Sequence, residues 1–288
     1  MEKEKADMER IAPSLYSYEP ECTITETTHT EEAQNNSPAT GERAIIPIIR
    51  RYGFITAPLI QRLLNTQEHK TINALKSLKK MQQQGKVLKY TITFPSERQD
   101  IDVYVLSPLE RKGSGVKGIF RYDMTDIPYI LEHLSITQWH ISVLEHKNSK
   151  EIMLYRQISS NGYITQLPSL IEFRTRLNKR MSLCAIPVPK GVHKQDLGRL
   201  FTNVITIDRF LSERRDRFRA YVIVLICESE NQIDEVSRLL GEMAETKEIY
   251  ALYSIDMMSS DDIFDPLSVL YDVSRNEGEI ALNVVRLR

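Results

Sequence analysis

Residues 41–112 read GERAIIPIIRRYGFITAPLIQRLLNTQEHKTINALKSLKKMQQQGKVLKYTITFPSERQDIDVYVLSPLERK, and the order of signals within them decides the fold. Ala44, Ile45, Ile46, Ile48 and Ile49 form an apolar run with Arg50 and Arg51 in its last turn, and Gly53 is placed to stop a helix in the left-handed conformation. Pro47 either starts this helix or kinks it, because proline has no N–H to give the preceding turn. Phe54 and Ile55 suit a short strand. Thr56 is then an N-cap and Pro58 lies in the first turn, which predicts a second helix over 57–64. The third is predicted to open near Asn65, whose spacing to Glu68 fits a capping box, and to run to Gln84 with Gly85 as its stop.

On that third helix Ile72, Leu75 and Leu78 recur at three-residue intervals as the buried stripe, leaving His69, Lys70, Thr71, Asn73, Lys76, Ser77 and Lys80 toward the outside. Two β-rich runs follow, 87–94 and 101–106, joined by the polar turn from Pro95 to Asp100, as in a hairpin. Three helices and a two-stranded ribbon are the order of a winged helix-turn-helix. In that motif the last helix enters the major groove, where Asn pairs with adenine edges and Lys with guanine or phosphate. Arg98 and Gln99, at the tip of the wing, would meet a phosphate or the minor groove. The expected partner is double-stranded DNA.

Charge agrees with this reading. Residues 41–112 hold 13 Lys or Arg against 6 Asp or Glu, a net of +7, inside a chain whose overall net charge is −1. A lysine-rich solvated face on a protein-binding winged helix gives the same count, so an interaction adaptor is the alternative reading, and a divergent Mg²⁺-dependent nuclease a third.

Residues 1–40 carry 9 acidic and 3 basic side chains with few large apolar ones, and read as a disordered acidic tail opposite in sign to residues 41–112. Gly113, Gly115 and Gly118 mark a linker over 113–123. From 124 to 288 the pattern predicts a helix over 127–144, strands over 152–158, 170–174 and 181–188, a helix over 194–213, a strand over 221–227, a helix over 231–245, a strand over 249–255, a helix near 263–273 and a last strand over 280–287. The seven apolar residues Tyr221 to Cys227 suit the centre of a sheet covered on both faces. The expected fold class is α/β: a winged helix-turn-helix and then a mixed sheet flanked by helices, each with its own core.

This order resembles the bacterial replication-relaxation family, plasmid and mobile-element proteins that join an N-terminal winged helix to a domain related to restriction endonucleases. Arg50-Arg51-Tyr52-Gly53-Phe54-Ile55-Thr56, Leu75-Lys76-Ser77-Leu78, Val103-Tyr104-Val105-Leu106 and Leu131-Glu132-His133-Leu134 carry the likeness over about residues 41–288. The resemblance implies a nuclease-type site in which carboxylates hold Mg²⁺ against the scissile phosphate. Here the family's Pro-Asp step falls at Pro168-Ser169, and the carboxylates of the next strand fall at Pro187 and Pro189, so that only Lys190 remains. Hydrolysis is therefore not expected, with Glu172 the nearest replacement carboxylate.

Other chemistry has little support. P-loop, Rossmann, G-x-S-x-G and H-E-x-x-H patterns are all missing. Cys22, Cys184 and Cys227 form no C-x-x-C pair and read as reduced thiols, and His133 with His140 is too thin a set for a metal. No catalytic residue, metal or cofactor is expected. No apolar run reaches the roughly 18 residues of a membrane span, and the start of the chain lacks signal-peptide character, so a cytoplasmic location without membrane contact is expected. The expectation is a non-catalytic DNA-binding accessory or regulatory protein of a plasmid, mobile element or phage, acting in replication or transcription control. A homodimer on paired half-sites and a replication or conjugation protein are the further partners considered.

Overall fold

The computed structural model describes residues 14, 16–27, 40–67, 69–96, 98–112, 120–175, 178–191, 194–218, 220–242, 249–255, 267, 270–276 and 279–287. They form an α/β structure with seven helices among the described residues and a seven-stranded mixed sheet.

Helix α1 spans Glu42–Tyr52 and runs straight through Pro47, so the helix begins upstream of the proline. Ile45, Ile48, Ile49 and Tyr52 lie on one face and are buried. Gly53 ends the helix at φ 73°, its N–H donating to the Ile49 carbonyl at 2.8 Å. Helix α2 is Ala57–Thr66, two residues longer than expected. Helix α3 is Ala74–Gln83, and here the sequence reading is corrected. Residues 69–73 precede the helix as a turn, with His69 N–H on the Leu64 carbonyl at 2.9 Å. The start is fixed twice over: the Asn73 carboxamide accepts from Lys76 N–H at 2.9 Å, and Gln61 accepts from Ala74 N–H at 2.9 Å. Of the expected capping box, Asn65 instead accepts from Gln61, and Glu68 lies outside the described residues.

Strands β2 (Val87–Thr93) and β3 (Ile101–Leu106) pair antiparallel, as the hairpin pattern requires. A further strand, β1 (Thr23–Glu26), lies antiparallel on the free edge of β2, with Thr23 opposite Thr93 and Glu26 opposite Tyr90. This corrects the reading of 1–40 as a disordered tail throughout. Averaged composition conceals two apolar anchors in it, Tyr16 and Cys22, both buried with Phe54, Ile92, Phe94 and Val103. An unpaired strand edge then offers the intervening backbone its hydrogen bonds.

After the short helix α4 (Pro108–Lys112), residues 113–119 of the expected linker lie outside the described ones. Helix α5 spans Ile127–Leu144, the range predicted, with Asp126 accepting from Tyr129 N–H at 3.1 Å as its N-cap. It is buried almost all round: Ile130, Leu134, Trp139 and Ile141 share this with His133, Ser135, Thr137 and His140.

One sheet follows, ordered β10-β9-β8-β7-β6-β5-β4. Its strands are β4 (Ser149–Ser160), β5 (Tyr163–Arg174), β6 (Arg180–Pro187), β7 (Tyr221–Cys227), β8 (Ala251–Ile255), β9 (Leu270–Asn276) and β10 (Glu279–Val285). The pairs β6·β7 and β7·β8 are parallel and the rest antiparallel. Helices α6 (Lys194–Ser212) and α7 (Glu230–Glu242) supply the crossovers. The helix expected near 263–273 is corrected from Leu270 onward, where the chain is strand β9; most of 261–269 lies outside the described residues.

Strand β7 is covered on both sides. Val222, Val224 and Ile226 join the cluster around α5, whereas Ile223, Leu225 and Cys227 pack with α6 and α7. The expectation of separate cores fails at α5. Ile45, Tyr52 and Leu64 from the first helices lie in one apolar cluster with Trp139, Ile141 and Val224, because the apolar residues of α5 are spread round the helix and covering them takes both the first helices and the sheet. Arg62 of α2 clamps this contact, meeting both oxygens of Glu145 at 2.9 and 2.6 Å and Ser142 at 2.9 Å. All three cysteines are free and buried.

Candidate nucleic-acid interface

Helix α3 presents its outer face through Asn73, Lys76, Lys79 and Gln83, while Ala74, Leu78 and Met81 face the core. The shifted start rotates the face away from the one expected. His69, Lys70 and Thr71 are exposed, but in the turn that precedes the helix. Lys80 is half-buried, and Lys79, absent from the expected set, takes the outward position. Ser77 is not a surface residue: it is buried and its hydroxyl donates to the Thr40 carbonyl at 2.5 Å. Leu75, expected in the buried stripe, is 46% exposed. The spacing 74, 78, 81 is present in the sequence as an alternative stripe, and it keeps Lys76 outside while turning Lys79 outward and Ser77 inward.

The cations of this region divide by partner. Arg51 pairs with Glu151, Arg62 with Glu145, Lys86 with Glu42, Lys89 with Asp102, and Arg98 with Glu19. Lys70, Lys76 and Lys79 pair with no described acidic residue and are exposed. Five of these side chains are therefore ion-paired, and three lysines at the start and along the face of α3 have no described acidic partner, as is also true of the exposed Arg43 and Lys112 elsewhere in the region.

Asn73 is exposed, yet its Oδ1 is engaged in the cap. A bidentate adenine contact uses both the oxygen and the amide nitrogen, so base reading by Asn73 competes with the helix start. A groove of about 520 Å³ separates α3 from the hairpin turn; Asn73, Leu75, Gln99, Asp102 and Gln138 are among its walls. Gln99 is exposed on that wall. Arg98 is not extended into solvent as expected. Its guanidinium lies 3.4 Å from the Phe94 ring centroid, donates to the Ser17 carbonyl and has its Nε 2.9 Å from Glu19 Oε1.

The region matched by the resemblance to a nuclease site is closed. Ser169 is fully buried on β5, paired with Leu154 and Ala185, so its neighbour on β6 is Ala185, two residues before Pro187. Its Oγ lies 2.7 Å from His140 Nδ1, and His140 Nε2 lies 2.9 Å from Glu151, which also holds Arg51. Burial, and next the neighbouring Arg51, push His140 down to about 3, so the ring is neutral at pH 7. Glu172 is three residues from Ser169 and therefore on the other face of the strand.

Lys190, the one residue left of the nuclease pattern, is buried, and its backbone N–H donates to Glu132 at 3.1 Å. Burial pushes the Glu132 carboxyl up to about 7, against the pull of the Lys190 N–H and ammonium. Glu228 accepts the Tyr18 N–H at 2.7 Å, while Ser229 accepts from Gln232 N–H at 3.3 Å at the start of α7. Among the described residues no group of three or more His, Cys, Asp and Glu is arranged to hold a metal ion, and no helix is long and apolar enough to cross a membrane.

No known protein family, characterised protein or solved structure matches the chain. The functional reading rests on this geometry alone.

Proposed function

We propose that the chain is a non-catalytic DNA-binding protein, an accessory or regulatory factor of a plasmid, mobile element or phage, whose residues 41–112 act as a winged helix-turn-helix. The observation that carries this is the division of charge: three lysines, Lys70, Lys76 and Lys79, are exposed without a described acidic partner around one helix, beside a hairpin. Free cations spaced along a helix face are what phosphate neutralisation needs. The order α5-β4-β5-β6-α6-β7 supports kinship of the second part with restriction-type nucleases. The sealed Ser169 position supports its use as a scaffold instead of a cutter.

The test is binding of the full chain to random-sequence duplex DNA across a salt series, with and without Mg²⁺, followed by recovery of bound sequences. Salt-dependent binding with an enriched motif and uncut DNA supports the proposal. Binding that is absent or insensitive to salt refutes it, and Mg²⁺-dependent cutting refutes its non-catalytic part.

A second reading, docking of a protein partner, draws on Leu75, which stands half out of the fold on the same helix. An apolar side chain there suits a protein surface better than a phosphate.

A further inference from the structure

The hairpin turn between β2 and β3 holds a carboxylate as a phosphate-binding loop holds an oxyanion. Glu19 accepts from the Ser96 hydroxyl at 2.8 Å and from the Ser96 backbone N–H at 3.2 Å, with Arg98 Nε 2.9 Å from the same carboxylate. A hydroxyl and a backbone N–H donating to an anion that a guanidinium pairs with by charge is an arrangement that proteins also direct at phosphate. The Phe94 ring beneath the guanidinium fixes its direction. Burial raises the Glu19 carboxyl, but the two Ser96 bonds and Arg98 together outweigh it and hold the group below its ordinary value, as an anion.

Glu19 also lies on a short span between two anchors. Tyr16 and Cys22 are buried in the apolar cluster on either side of it, and β1 follows directly. Ser14 N–H and Tyr18 N–H are held by Glu228 at 3.0 and 2.7 Å. The donor set can therefore change its anion by a local movement of residues 19–21, between the Tyr18 and Cys22 anchors, without unfolding the strand.

We infer that Ser96 and Arg98 form a binding site for a DNA backbone phosphate, occupied in this structure by Glu19 as an internal mimic. The inference rests on the DNA-binding reading and adds a regulator to it: a phosphate must displace Glu19, so the chain's own acidic segment sets the threshold for engaging the hairpin. Phosphate contact at Arg98 and its pairing with Glu19 exclude one another.

The experiment is a duplex-binding salt series on the full chain and on Glu19→Ala, Glu19→Gln, Arg98→Ala and the double variant Glu19→Ala/Arg98→Ala, with thermal midpoints recorded for each. Glu19→Gln keeps the size and an acceptor while removing the charge, so it remains informative if Glu19→Ala folds poorly. The expected result is tighter binding by both Glu19 variants, about threefold or more, with the log–log salt slope steeper by about 0.9, the increment for one added phosphate. Arg98→Ala on its own should change little, and in the double variant it should abolish the gain. A gain that survives Arg98→Ala overturns the site, since it then reflects only the removal of a negative charge. Unchanged affinity in both Glu19 variants, while Lys76→Ala weakens binding, overturns the site and leaves the DNA reading standing; failure of every chain to bind duplex overturns both. Saturation of the Glu19→Gln variant by micromolar inorganic phosphate alone, read from the Ser96 amide resonance, overturns the assignment to the DNA backbone.

Discussion

His140 and Ser169 are joined at 2.7 Å in full burial, the imidazole of α5 against the hydroxyl of β5, with Glu151 on the ring's other nitrogen. Deleting the hydroxyl strands a ring nitrogen in full burial. Ser169→Ala should therefore cost about 1–3 kcal/mol in urea unfolding, the range for an orphaned buried polar group. A loss below about 0.5 kcal/mol would mean that the contact is incidental.

Two buried histidines and one half-buried glutamate give stability a pH signature of opposing parts. Burial holds His140 at about 3 and His133 at about 4, below their ordinary 6.5, so their contribution is complete above pH 6.5 and is lost as pH falls toward 4 and then 3. Glu132, raised from 4.5 to about 7, acts oppositely: its contribution is complete below pH 4.5 and is lost as pH rises through 7. Glu132→Gln should steepen the loss of stability on acidification between pH 6.5 and 4.5. His133→Phe, whose ring can keep the stack on Tyr155 at 4.9 Å, should flatten it. Thermal midpoints at half-unit pH intervals check both.

Asn73 separates helix capping from DNA reading. Asn73→Ala removes the bond to Lys76 N–H and should cost about 1 kcal/mol of stability. Asn73→Asp keeps the cap but adds a negative charge beside the exposed lysines. It should preserve the melting temperature within error and weaken duplex binding severalfold at low salt. Equal binding by Asn73→Asp and the parent chain would remove the start of α3 from the interface.

Lys76→Ala and Lys79→Ala should each flatten the log–log salt slope by about 0.9 with stability changed by less than about 0.5 kcal/mol. Ser77→Ala, one residue from Lys76, should do the reverse, lowering stability and leaving the slope intact, because Ser77 holds the Thr40 carbonyl inside the fold. Reversal of that pattern would show that α3 faces the other way in the complex.

Leu75→Ala should leave unfolding within about 0.5 kcal/mol of the parent, whereas Leu78→Ala, fully buried, should cost about 2–5 kcal/mol. If Leu75→Ala abolishes capture of a protein partner while sparing DNA affinity, the same helix serves both classes of ligand.

How much of the fold the residues disclose depends on the length and regularity of each signal. Helix α5 is legible because apolar residues recur through all eighteen of its positions behind an Asp cap, and β7 because seven apolar residues in a row have few other places to go. Helix α3 is misplaced by local pattern since Asn65 and Asn73 are both competent caps, and the choice between them is made by Gln61, a residue of the preceding helix, through a tertiary bond to Ala74. Strand β1 escapes notice for a related reason: a four-residue Thr-Ile-Thr-Glu run has no strength of its own and forms because β2 has an open edge. Arg98 stands out as the chemically apt residue of the turn, but its partner Glu19 is 79 residues earlier, at a distance local patterns do not reach.

The complete enclosure of α5 has a mechanical meaning. A fragment ending ahead of Ile127 would keep Leu78, Met81 and Tyr104 around Ile45, Ile48 and Leu64 but lose Trp139, Ile141 and the sheet from the same cluster, so the first helices should be less stable and stickier when cut free. In the whole chain the same helix is an axle gripped from both sides. Packing contacts run without a break from α3 through α2 and the Arg62 clamp to α5 and the sheet.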